Sequence, residues 1–354
     1  MTLNDSCTLS YYQPIAALNE EHGVLLVQHT ETKRVFVRKT LTVYDADLFR
    51  FLKDHPIPHT PRIYEVIEDD NALIVIEEYV DGTSLKDFLA LRGTLTEAEA
   101  VHITKQICRI LGSFEKIIPP IVHRDIKPSN IILSDAMEVT LLDMDAAKWQ
   151  NSAQPQDTVL LGTHGYAAPE QYGFGASDVR TDIYAVGVLL NVMLTGDFPQ
   201  IRKVPGYLGE IVANCTELDA SRRYASAEQL LRDVSEGPEF DAEGKALPDT
   251  RLPGFRGTKG GTKFAAFVGY ALLVWCCMNL NSGDSRAMLW ANRIDAFCLF
   301  MSIILFSGNY MGIWNLLHID RIRSKWLKIL AVVIADFLIA FFWLEILTIL
   351  DYLL

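Results

Sequence analysis

The sequence predicts an α+β fold in two unlike lobes, a small β-rich one and a larger helical one, followed by a transmembrane helical segment. Three observations lead there. Short β-branched runs separated by polar turns crowd residues 11–80. Apolar residues at helical spacing behind an explicit N-terminal cap mark the region 81–236. Long uncharged apolar stretches occur only beyond about residue 263. Composition agrees, since 50% of the 354 residues are hydrophobic, high for a soluble enzyme, and the excess lies in that C-terminal part. The net charge of −12 gives no support to a nucleic-acid partner. The six cysteines are scattered and none forms a Cys-x-x-Cys pair, which argues against zinc and disulfide frameworks. Residues 1–10 are polar and have no apolar signal-peptide core, so the N-terminal part is expected to stay in the cytoplasm.

In the small lobe, Val24-Leu25-Leu26-Val27 and Val35-Phe36-Val37 flank the polar turn Glu31-Thr32-Lys33 and predict a hairpin. Strand alternation puts Val37 and Lys39 on one face and the rival cation Arg38 on the other. Residues 45–53 carry Leu48, Phe49 and Leu52 at helical spacing, and Pro56 and Pro58 stop the helix. Strands are expected over 61–67 and over Leu73-Ile74-Val75-Ile76, the latter running into Glu77-Glu78-Tyr79-Val80-Asp81-Gly82. In the large lobe, Thr96 and Glu99 form a capping box that opens a long helix with Ile103, Ile107, Ile110 and Leu111 on one face. The apolar run Val139-Thr140-Leu141-Leu142 then reads as a short strand presenting Asp143.

The chemistry concentrates in His123-Arg124-Asp125-Ile126-Lys127-Pro128-Ser129-Asn130, followed by Asp143. The spacing suits phosphoryl transfer. Asp125 can orient a hydroxyl nucleophile and accept its proton, Lys127 can neutralise a transferring phosphoryl group, and Asn130 and Asp143 are oxygen ligands that can share Mg²⁺. The octet resembles the catalytic loop of the eukaryotic-type protein kinases, in the Ser/Thr rather than the Tyr version because lysine stands two residues after the aspartate.

That resemblance covers residues from about 11 to 236 and implies a bilobal protein-kinase-like fold, with residues 11–80 as N-lobe and 81–236 as C-lobe. It implies ATP and Mg²⁺ as cofactors. Asp125, Lys127, Asn130 and Thr163 would be catalytic, and Asn130 and Asp143 would hold the metal. Val37 would roof the adenine, Lys39 would hold the phosphates, backbone groups of Glu78 and Val80 would bond the adenine edge, and Gly23 is what remains of the phosphate-covering glycine loop, beside Glu20 and Glu21. Glu77 falls where the pocket behind adenine is normally limited, and a carboxylate there needs a partner. The family's helix glutamate, which pairs with the strand lysine, is missing; Asp47 is nearest in position but one methylene shorter, so either the helix sits closer or the ion pair is missing. Asp143-Met144-Asp145 replaces Asp-Phe-Gly, with Met144 as the apolar plug and Asp145 as either an extra carboxylate for a divalent ion or, by the commonness of turn carboxylates, a solvated turn residue. Residues 146–162 fit an activation segment in which Thr158 is the autophosphorylation candidate, with Arg124 able to pair with its phosphate. The resemblance further implies that Asp182 bonds the catalytic-loop backbone and that Arg223 pairs with Glu170.

Residues 237–263 have the Gly/Pro composition of a linker. Transmembrane helices are expected at 264–280, 296–317 and 329–350, the last interrupted by Asp336 and Glu345. Arg251, Arg256, Lys259 and Lys263 precede the first span, and Arg321, Arg323, Lys325 and Lys328 lie between the second and third. With both clusters cytoplasmic, all three segments cross and the C-terminus is outside. Asp336 within a span calls for a partner or a polar interior, unless a tilted helix lets it reach water. The whole predicts a multi-pass serine/threonine kinase of the cell membrane, of bacterial type, acting in signalling on protein substrates with its kinase domain cytoplasmic. Its partners would be ATP, the substrate protein and the lipid bilayer, with a homo-oligomer or membrane partner allowed through the helices. The competing expectation is a catalytically impaired pseudokinase scaffold, favoured by the thin glycine loop, Asp47 and Asp145.

Overall fold

The computed structural model describes residues 2–19, 23–150, 163–173, 175–237, 251–255, 260–280, 286–317, 319 and 325–353. Thr158, Gly162, the acidic Glu20 and Glu21, most of the expected linker, and the cations Arg256, Lys259, Arg321 and Arg323 lie outside these residues. The chain divides near residue 237 into two compact units.

The first unit opens with a short helix α1 (Leu3–Ser10), where Thr2 and Asp5 form a reciprocal capping box. Five strands follow: β1 (Tyr12–Asn19), β2 (Val24–His29), β3 (Val35–Leu41), β4 (Ile63–Asp69) and β5 (Ala72–Glu78), with helix α2 (Ala46–Asp54) between β3 and β4. They make one antiparallel sheet in the order β1-β2-β3-β5-β4. The expected 24–37 hairpin is β2–β3. The strand β1 has only its first residue buried, so it lacks the alternating apolar signal of a half-buried strand. Helix α2 is capped by Asp45 and buries Leu48, Phe49 and Leu52.

The helical lobe comprises β6 (Thr83–Ser84), α3 (Leu85–Arg92), α4 (Glu97–Glu115), β7 (Ile121–Val122), β8 (Ile131–Leu133), β9 (Val139–Leu141), β10 (Lys148–Trp149), α5 (Val179–Thr195), α6 (Gly206–Cys215) and α7 (Ala227–Ser235). The Thr96 box closes as expected: the Glu99 N–H donates to Thr96 Oγ1 (3.2 Å) and the Thr96 N–H to Glu99 Oε2 (2.9 Å). Behind it Ile103, Ile107, Ile110 and Leu111 are buried, and α4 packs against α5 and α7. Almost all of α5 is buried, Asp182 included.

The second unit contains α8 (Gly260–Met278), α9 (Arg286–Ser307), α10 (Ile313–Leu316) and α11 (Lys325–Leu353). Three windows, 261–278, 288–307 and 326–346, are long and apolar enough to cross a membrane. The middle one departs from expectation. The uncharged run 296–317 is not one helix: α9 begins ten residues earlier, taking in Arg286, Arg293 and Asp295, and stops at Ser307. Gly308-Asn309 ends it. Asn309 takes a left-handed backbone (φ 49°) and its side chain accepts from the Trp314 N–H at 2.9 Å. Asp336 finds its partner between helices, where Ser307 Oγ donates to Asp336 Oδ2 at 2.6 Å.

Candidate active site

The catalytic octet is held from below. Asp182, buried at the start of α5, accepts both the His123 and the Arg124 backbone N–H, each at 2.8 Å. This dual bond fixes a loop in which Arg124 has a left-handed φ of 69°, a conformation a non-glycine residue keeps only when its surroundings enforce it. Gln171 Nε2 adds a bond to the Arg124 carbonyl at 2.8 Å. Burial pushes the Asp182 carboxyl up, against the opposing pull of His123 and the two N–H bonds. The Glu170–Arg223 pair is bidentate, at 2.7 and 2.9 Å, and Thr181 Oγ1 donates to the same carboxylate at 2.8 Å.

On this base the four expected catalytic side chains converge. Thr163 Oγ1 donates to Asp125 Oδ1 at 2.8 Å. Lys127 Nζ reaches Thr163 Oγ1 at 2.9 Å and Asp125 Oδ2 at 2.7 Å. Asn130 Nδ2 donates to Asp125 Oδ2 and to the Asp125 carbonyl, both at 2.9 Å. His123 Nε2 lies 3.0 Å from the Leu142 carbonyl and ties this loop to the segment carrying Asp143, where Asp143 is itself left-handed (φ 71°). Met144 is buried, as an apolar plug must be.

Above, a cleft of about 1120 Å³ is lined by Gly23, Val37, Lys39, Glu78, Val80, Asn130 and Asp143. Of the two rival cations, Lys39 faces it, 6% exposed. Its ammonium lies 2.9 Å from Asp143 Oδ1, 3.2 Å from Asp145 Oδ1 and 3.3 Å from Glu77 Oε1. Burial alone would lower Lys39, but Glu77, Asp143 and Asp145 together hold it well above its ordinary value. Burial raises each of these carboxyls and Lys39 lowers each. The balance leaves Asp143 well below the usual range and Asp145, repelled by Asp143, above it. At the hinge the Glu78 N–H is taken by the Arg62 carbonyl at 2.8 Å, so any adenine contact from Glu78 must use its carbonyl.

One open alternative closes and one sequence expectation changes. Asp47 is not the lysine's partner: it pairs with Arg50 at 3.0 Å with its side chain 87% exposed. Asp145 is not a solvated turn residue but part of the Lys39 cluster, its Oδ1 3.2 Å from the ammonium. Glu77, flagged as needing a partner, has one in Lys39.

Asn130 and Asp143 supply hard oxygen donors, which suit Mg²⁺. Among the described residues no cluster of three or more His, Cys, Asp or Glu is placed to hold a metal ion by itself.

The fold and the arrangement of this site are those of a protein kinase domain. The protein kinase domain family matches residues 23–233, well over half of the chain, and the chain belongs to that family. It is 31% identical over 215 residues to the serine/threonine-protein kinase PknL of Mycobacterium tuberculosis, covering 54% of this chain and 52% of PknL. It is 30% identical over 214 residues to the serine/threonine-protein kinase PrkC of Bacillus subtilis (54% of this chain, 32% of PrkC). With the serine/threonine-protein kinase cds1 of Schizosaccharomyces pombe it shares 30% over 191 residues (52% and 40%). The chain thus spans about half the length of PknL and about a third of PrkC.

Proposed function

We propose that this chain is a membrane-anchored serine/threonine protein kinase that transfers the γ-phosphoryl group of ATP to a hydroxyl of a protein substrate. The observation that carries the reading is the Asp125–Lys127–Thr163 cluster at the floor of the nucleotide-sized cleft. Asp125 orients the substrate hydroxyl and takes its proton as the oxygen bonds to the γ-phosphorus and the bond from that phosphorus to ADP breaks. The Lys127 ammonium stands beside the same carboxylate and offsets the negative charge on the transferring group. Thr163 spans Asp125 and Lys127 and sets their spacing. Lys39 turns from Asp143 to the α- and β-phosphates when nucleotide enters. Val37 covers the adenine, the Glu78 carbonyl and the Val80 backbone meet its edge, and Gly23 lies over the phosphates. A divalent ion, Mg²⁺ in this reading, would be held by Asn130 and Asp143 and would neutralise phosphate charge. The three apolar helices support an anchored enzyme, and the basic residues before the first and third support a cytoplasmic kinase domain, where the substrates would be cytoplasmic proteins and the role one in signalling.

The test is phosphate incorporation by the full chain in detergent micelles, with Mg²⁺ and radiolabelled ATP, followed by phosphoamino-acid analysis. Label on serine or threonine is expected. Nucleotide binding without any transfer to protein would favour the scaffold reading, for which the engagement of Asp143 and Asp145 by Lys39 is the supporting observation.

A further inference from the structure

The family's strand lysine is normally held by a carboxylate on the helix that corresponds to α2. In this chain that helix offers no such group. Asp45 is spent as the helix cap, Asp47 is tied to Arg50 at the surface, and Asp54 is exposed. Among the described residues, the carboxylates within ion-pair distance of Lys39 Nζ are Glu77, Asp143 and Asp145. Asp143 and Asp145 follow the catalytic loop in the other lobe, and in the kinase reading Asp143 would hold the metal. Glu77 alone of the three shares the sheet with Lys39.

Its place there follows from strand register. β3 and β5 are antiparallel neighbours in which Val37 opposes Glu77 and Lys39 opposes Val75. Directly opposed residues share a face, so Lys39 and Glu77 are diagonal neighbours on the cleft side, within reach of two long side chains. Both are buried, at 6% and 8% exposure. A buried carboxylate with no partner would be costly, and the lysine supplies that partner.

We propose that Glu77 is the positioning residue for Lys39: the carboxylate that aims the phosphate-binding lysine stands on the neighbouring strand β5 instead of on helix α2. This rests on the kinase reading of the cleft. Two consequences follow. Glu77 keeps the lysine in the cleft as it exchanges Asp143 for the nucleotide phosphates. The pair is also built into one sheet, so its geometry is set by the β3–β5 register and not by the position of α2.

The experiment compares the binding of ADP with Mg²⁺ and of adenosine to the full chain in detergent micelles, by calorimetry. Adenosine uses the adenine slot without phosphates and so reports the pocket apart from Lys39. Variants are Lys39→Met, Glu77→Gln, Glu77→Met, Asp47→Asn and the double variant Lys39→Met/Glu77→Gln. Lys39→Met and both Glu77 variants should weaken ADP by about tenfold or more, the scale of a lost charged hydrogen bond, and leave adenosine within about twofold. The double variant should bind ADP no worse than Lys39→Met alone. Asp47→Asn should bind both ligands as the unaltered chain does. Unchanged ADP affinity in the Glu77 variants would overturn the proposal. So would equal weakening of ADP and adenosine in both, which would make Glu77 a wall of the pocket, or ADP loss in Asp47→Asn, which would return the role to the helix. Failure of the unaltered chain to bind either ligand would instead sink the kinase reading itself.

Discussion

Replacing Arg223 by methionine should destabilise the kinase unit by about 3–5 kcal/mol, the usual cost of removing one partner from a buried ion pair. The geometry supports a value in that range. The Arg223 side chain is fully buried and that of Glu170 is 11% exposed. Besides its two bonds to Glu170, the guanidinium donates to the carbonyls of Glu217 (2.8 Å), Arg180 (3.1 Å) and Leu218 (3.3 Å) and lies over the Tyr184 ring, 4.9 Å from its centroid. Methionine replaces part of the packing but none of the donors. Among the described residues, Glu170 would keep the Thr181 hydroxyl, a neutral donor, as its one hydrogen-bond partner for a buried negative charge. Glu170→Gln combined with Arg223→Met removes that charge and should recover part of the loss, so the two single costs should exceed the double by at least about 1 kcal/mol. Urea unfolding of the four proteins in detergent, followed by intrinsic fluorescence, measures this. A loss below about 1 kcal/mol for Arg223→Met, or strict additivity in the cycle, would refute the argument that the pair is a buried strut under the catalytic loop.

Other outcomes follow from single contacts. Thr163→Ala should lower kcat by roughly 10–100-fold, the equivalent of losing one charge-assisted hydrogen bond, whereas Thr163→Ser keeps the bridging oxygen and should retain most activity; equal loss in both would show that the methyl group, not the bridge, matters. Gly82 has φ 144° and a Cβ there would lie 2.5 Å from the Leu133 carbonyl oxygen. Gly82→Ala should therefore cost about 2–5 kcal/mol. Gly112, inside α4 with open space around it, should gain about 0.5–1 kcal/mol as alanine, and thermal melts showing the same sign for both would contradict this reading. An epitope placed after residue 353 should be cleaved by protease added to intact cells if all three segments cross; protection would put that end inside.

Much of this site was legible because its residues are close in sequence and chemically specific. Asp125, Lys127 and Asn130 sit in one loop, and Asp143 follows at the end of a short apolar strand. The Thr96–Glu99 box was equally local. What could not be read depended on distance in space. Asp47 was nearest to the missing helix glutamate in sequence, but its orientation is set by the buried face of α2, which turns Leu48, Phe49 and Leu52 inward and leaves Asp47 outside. Glu77 becomes the partner only through the β3–β5 register; the one local signal was a carboxylate at the end of an otherwise apolar strand. Gln171 carries no motif signal, and its bond to the Arg124 carbonyl comes from the tertiary fold. Strand β1 was hidden because most of its residues are exposed, and β2 holds it by backbone pairing. In the second unit, counting uncharged residues placed a helix across Gly308-Asn309, where the backbone signal for a helix end outweighs continuous hydropathy.

The central claim is that the Asp125 cluster transfers phosphate. The most direct measurement is the initial rate of phosphate transfer from ATP to a protein acceptor by the full chain, compared with Asp125→Asn at equal nucleotide occupancy. A general base in this position contributes roughly 10²–10⁴-fold, so the variant should fall by at least about a hundredfold while its ADP affinity stays the same. Equal rates in the two proteins would contradict the account.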